Sequence, residues 1–270
     1  MKKTFAAWKW SLGVLVRSYG TVVALAALIA VWGFLFYEWL GLPESSALLL
    51  IVAFLWAVAQ LLATAVIVVG IVSGAGEAAA LDGRALRLTR LLKKDRKRFL
   101  NALILCLGSC VLLWLLAGVY HWINQHLIEV ASFLTFHSEK AISHVHIEKI
   151  FDYAMGLSVI ILTSFLLSFF IVLMRSGWRG TLKQAGSLLA RCAFGSSFFT
   201  TLLTVVVFGN VTIGLTRWHP VVPPGFWDYA QMIARFSIIF VARAAQWLFL
   251  LLSLARLLVP KQEFPRSDFI

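Results

Sequence analysis

Six long apolar runs, at about 19–40, 47–73, 100–121, 154–174, 194–216 and 234–257, alternate with short polar stretches along the chain. Each run holds roughly 20 residues or more, enough for an α-helix rising about 1.5 Å per residue to cross a hydrocarbon core about 30 Å thick. The pattern predicts an all-α polytopic membrane protein, with residues 1–270 forming a single transmembrane domain of six spans. Six crossings return the chain to its starting side, so both ends are expected on one face of the membrane.

The polar stretches carry a second pattern. Trp8, Lys9, Ser11 and Leu12, ahead of the first span, align with Trp178, Arg179, Thr181 and Leu182, ahead of the fifth, and a comparable basic segment begins near Gly83, ahead of the third. Starts near 7, 83 and 177 fit three helical hairpins, each preceded by a basic interfacial helix. In the middle segment Arg84, Arg87, Arg90, Lys94 and Lys97 recur at three- and four-residue steps opposite Ala85, Leu88, Leu91 and Leu92, the spacing of an amphipathic helix. The connection 122–153, with Ala141, Ile142, Val145 and Ile150 at near-helical intervals, is expected to hold one or two short surface helices.

Composition fixes the class and charge fixes the orientation. Hydrophobic residues make up 61% and charged residues 13%, far from the roughly 25% charged of a soluble domain. Nineteen of the 24 Lys and Arg fall before the first span, in the second and fourth connections and in the tail. The other three connections hold Lys140, Lys149 and Arg217 against seven acids. Because Lys and Arg of short flanking segments stay in the cytoplasm, the expectation is a multi-pass inner (plasma) membrane protein with both termini cytoplasmic. Lys2 and Lys3 ahead of an apolar stretch resemble a signal peptide, but Lys9 interrupts that stretch and the run to Leu40 is too long, so it is expected to be an uncleaved span. The excess of positive charge is thereby explained by orientation, and nucleic acid is not an expected partner. Membrane lipids with anionic headgroups are, together with a protein partner that Arg84, Arg87, Arg90, Lys94 and Lys97 could contact.

Two groups of residues could carry chemistry. All six histidines fall at or beyond the expected outer boundary, and His121, His126, His144 and His146 near Glu129 and Glu148 are the candidates for a metal site or a proton-sensitive patch. Their spacing matches no metal signature, and no cofactor is expected. The second group is intramembrane: Gln60, Asn210, Arg243 and Gln246 fall within about 5 Å of the bilayer midplane by residue count. On the last span Asp228, Arg235 and Gln246 share one stripe, with Arg243 about 60° away. An arginine at the centre of a span costs at least about 2.5 kcal/mol, so Arg243 is expected to face the bundle interior or a wet cavity, with Asn210 as its nearest partner by depth. Cys106 and Cys110, four apart within the third span, lack further ligands and are expected to be small packing residues.

Glu77, Ala78, Ala79 and Gly83 reproduce E-A-A-x-x-x-G, which resembles the first half of the cytoplasmic coupling loop of ABC-type importer permeases. The similarity covers seven residues. Lys93 stands where that family has an aliphatic residue, the later proline is missing, and the segment follows the second span instead of lying near the C-terminus. No phosphate-binding loop, zinc-protease helix, nucleophile elbow or dense carboxylate cluster is present, so an enzyme is not expected. Two functions fit. One is an integral membrane accessory or assembly component of a larger complex. The other is a permease-like transport subunit working with a separate cytoplasmic ATPase, which the short resemblance implies.

Overall fold

The computed structural model of the chain describes residues 2–42, 46–80, 96–138, 143–217 and 226–259. These form seven helices: α1 (Lys2–Arg17), α2 (Tyr19–Leu40), α3 (Ala47–Ala80), α4 (Arg96–Ser138), α5 (His144–Phe194), α6 (Ser196–Arg217) and α7 (Phe226–Leu258). Six of them, α2 to α7, are long and apolar enough to cross a membrane, which makes the protein multi-pass. Gly83, Arg84, Arg87, Arg90, Lys94 and His219, and the side chains of Lys97 and Asp228, lie outside the described residues.

Three pairs of neighbouring spans are tied at the end away from most of the Lys and Arg, termed the far end. The indole of Trp39 donates to the carbonyl of Ala53 at 2.8 Å, joining α2 to α3. The Tyr120 hydroxyl donates to Asp152 at 2.8 Å between α4 and α5, and Arg235 Nη2 donates to the carbonyl of Thr216 at 2.6 Å between α6 and α7.

The core sits at the opposite, basic end. It joins Val14 of α1, Val22 and Leu25 of α2, Val69 to Ala79 of α3, Ala102 of α4, Phe169 to Leu173 of α5 and Leu248 to Val259 of α7. Small residues make this density possible: Ala75, Ala79, Ala102, Ala244 and Ala255 are fully buried and let helix backbones approach closely. Helix α7 is the hub, with 56% of its most apolar stretch buried, whereas the corresponding stretches of α3 and α4 are 6% buried.

Both described amphipathic segments pack a face against this core. Helix α1 buries Thr4, Ala7, Ser11 and Val14, steps of three and four residues that define one face. Trp8 meets Phe249 edge-on with centroids 5.0 Å apart, and Ser253 Oγ donates to Ser11 Oγ at 3.0 Å, so α1 lies on the last turns of α7. The second such segment, 178–194, follows a reversal at Gly177 (φ 65°, ψ 178°), a backbone state open essentially to glycine alone. Helix from Gly177 to Cys192 is about 22 Å long and from Ser168 to Gly177 about 13 Å. Yet Cys192 Sγ lies 3.6 Å from Ser168 Oγ, so 178–194 folds back alongside its own span. Thr181, Leu188 and Cys192 are buried there, while Arg179, Lys183 and Arg191 remain exposed.

The connection 122–153 differs from expectation. Short surface helices were predicted, but α4 continues without a break to Ser138 and α5 begins at His144. At 43 residues α4 is about 64 Å long, roughly twice a hydrocarbon core. The extensions are held by their own small cluster, in which Leu127 and Ala131 pack on Ile147 with Ile123, Val130 and Phe151 around them. Those positions share one face of α4, which is the periodic signal that a break between spans and surface helices had obscured.

Candidate functional site

Helix α7 joins two of the four polar residues that the sequence groups together, Arg243 and Gln246. Arg243 Nη1 donates to Gln246 Oε1 at 2.9 Å, one turn further along the same helix. Gln246 is buried, whereas Arg243 is exposed on the surface of the bundle. The expected partnership with Asn210 is not formed: the Asn210 amide donates to the Val206 carbonyl of its own helix at 2.8 Å, and Asn210 is itself exposed. Asparagine on an apolar helix returns its amide to the backbone because no other acceptor competes in hydrocarbon. Gln60 of α3 is buried at 8% exposure, and its Nε2 has no acceptor among the described residues. Gln60, Asn210 and Arg243 thus share no hydrogen bonds with one another among the described residues.

The stripe formed by Arg235 and Gln246 turns toward α6 and the core. Arg235 reaches the last turn of α6 through Thr216, and Gln246 lies between the buried Ala244 and Leu248. Neighbouring faces of α6 are polar in composition yet locally closed: the hydroxyls of Thr200, Thr201 and Thr204 each donate to the carbonyl four residues back, at 2.7, 3.0 and 2.7 Å, and all three residues are buried. A helix lined in this way offers packing contacts more than exchangeable ligand sites.

The histidines remain separate. His121 contacts Gln125 Nε2 at 3.0 Å, and the Nδ1 atoms of His126 and His137 lie 2.8 and 3.0 Å from the carbonyls of Trp122 and Phe133. His144 and His146 are exposed in the first turn of α5. Among the described residues no group of three His, Cys, Asp or Glu side chains is placed to hold a metal ion. Cys106 and Cys110 are free thiols, partly buried and exposed respectively.

Four residues that sequence reasoning did not place in the packing prove structural. Arg256 lies 5.1 Å over the Trp10 ring and donates to the carbonyl of Ala79 at 3.3 Å, joining α1, α3 and α7 at the basic end. Trp178 Nε1 donates to Asn101 Oδ1 at 2.9 Å and fastens the folded-back segment to α4. Ala78 and Ala79 of the E-A-A sequence are buried in the core. Gly83 of that motif lies outside the described residues. No sequence signal gives such long-range pairs.

Comparison with known proteins finds no family model, no curated protein and no solved structure that matches the chain.

Proposed function

We propose that this chain is a non-catalytic integral membrane protein of the inner (plasma) membrane, with both termini cytoplasmic, that acts as an accessory or assembly component of a larger membrane complex. The observation that carries this proposal is the uneven burial of its spans. Helix α7 buries 56% of its apolar stretch, yet α3 and α4 bury only 6% of theirs and meet the bundle mainly through their basic ends. Membrane helices gain stability from packing one another, not from escaping water, so spans that end half-packed suit a protein whose bundle is completed by another. The strong charge asymmetry supports the orientation. Transport in the manner of an ATPase-coupled permease is the second reading, with less support because Ala78 and Ala79 are buried in the core.

Depletion of the chain from its native membrane provides the test. An assembly component predicts that one membrane complex, resolved by native electrophoresis, is lost or shifts to a smaller form, and that the purified chain carries no solute flux in proteoliposomes. An unchanged set of complexes, together with flux by the purified chain, would contradict it.

A further inference from the structure

Exposure along α7 has a regularity that the packing of the described residues covers only in part, at Phe240. Tyr229, Ile233, Phe236 and Trp247 are exposed at 66, 63, 55 and 45%, Phe240 is half-buried and Arg243 is exposed. Their spacing alternates between four residues and three from Tyr229 to Trp247. At 100° per residue all six fall within about 80° of the helix circumference, the geometry of a seam that packs against a second helix. Toward the basic end the adjoining side of α7 is occupied, since Ala244, Leu248, Leu251, Leu252 and Ala255 are buried in the core. Side chains of this size could simply face lipid. Arg243 could not do so comfortably, because it lies within about 5 Å of the bilayer midplane by residue count, where a guanidinium demands a compensating group.

That group is not supplied by the described part of the chain. Arg243 donates to the neutral Gln246, and the six apolar runs contain no Asp or Glu apart from Glu38 at the far end of the first. A second copy of the chain fails for the same reason, because its spans would bring no carboxylate to this depth and a symmetric seam would set one Arg243 near another.

We infer that the Tyr229–Trp247 face of α7 is the docking seam for a membrane-spanning helix of a different protein, one that carries an aspartate or glutamate at mid-depth to pair with Arg243. The seam's large apolar residues set the register and the charge pair selects the partner, as a single polar position does in coiled coils. This deepens the assembly role proposed above and rests on it.

The test uses defined probes. Three synthetic leucine-alanine membrane helices, identical except for Glu, Gln or Leu at their midpoint, are reconstituted with the full-length protein in phosphatidylcholine–phosphatidylglycerol vesicles, and association is read by energy transfer. The Glu helix is expected to associate roughly tenfold or more tightly than the Leu helix, with the Gln helix between them. Arg243→Leu should bring the Glu helix down to the Leu level, and Arg243→Lys should keep part of the preference, while both variants keep the wild-type melting temperature. A cysteine at Phe236 should crosslink to the Glu helix, and one at Ser237 should not. Equal association of all three helices would overturn the inference, as would a Glu preference that survives Arg243→Leu or a seam that crosslinks two copies of this chain instead. If depletion removes or shrinks a native complex but the probes show no preference, the seam is wrong and the assembly role stands. If the probes behave as expected and no native complex exists, the assembly role fails.

Discussion

Glycine at position 177 makes the reversal that brings the second amphipathic segment back onto its own span. Added bulk there meets nothing within 4 Å, so the constraint is the backbone angle of φ +65° alone. Gly177→Ala is therefore expected to lower stability by about 1–3 kcal/mol, measured as a drop in melting temperature in detergent. Gly186→Ala, on an exposed stretch of the same segment and equally free of neighbours, is expected to be neutral or to stabilise by up to about 1 kcal/mol. Gly195 is constrained differently: a Cβ would lie 2.7 Å from the Arg191 carbonyl oxygen and 2.9 Å from its Cα, both backbone atoms that cannot move aside cheaply. Arg256 is the other residue with a wide reach. Arg256→Ala removes both its stacking on Trp10 and its bond to Ala79, at a cost of about 1–3 kcal/mol. Arg256→Lys should recover only part of that cost, since an ammonium lacks the planar face that stacks.

The elements that were legible in the sequence are those defined by a run of one character. All six spans stand where the apolar runs predicted, because length and hydropathy need no partner to be read. Connections were less legible. The extension of α4 to Ser138 looked like surface helix because His121, Gln125 and Glu129 interrupt the apolar run, yet Leu127 and Ala131 keep one face continuous toward Ile147. Counting residues from the span edges gave the polar side chains an expected depth but not their pairings, since depth gives no information about which way a side chain turns. Arg243 was expected inside and lies outside. Two predictions belong to this scale. Leu127→Glu should disrupt the far-end extension alone, raising protease cleavage between 121 and 153 while leaving the melting transition of the bundle in place. Thr204→Val should change stability by no more than about 1.5 kcal/mol, because its buried hydroxyl donates to the Thr200 carbonyl of its own helix. Thr204→Leu in that fully buried position should destabilise by about 1–3 kcal/mol.

At the scale of the whole molecule the asymmetry of packing matters most. Helices converge at the basic end around α7 and leave the most apolar stretches of α3 and α4 largely uncovered, and Arg243 is exposed on α7. On the proposed reading, these apolar faces and that charge are what a second protein covers. The most direct measurement is the native mass of the particle that contains this chain, extracted with its surrounding lipid by an amphipathic copolymer without detergent. The account predicts a particle heavier than the 30.1 kDa chain by a second polypeptide in fixed stoichiometry. A particle containing only this chain, singly or in multiples, would contradict it.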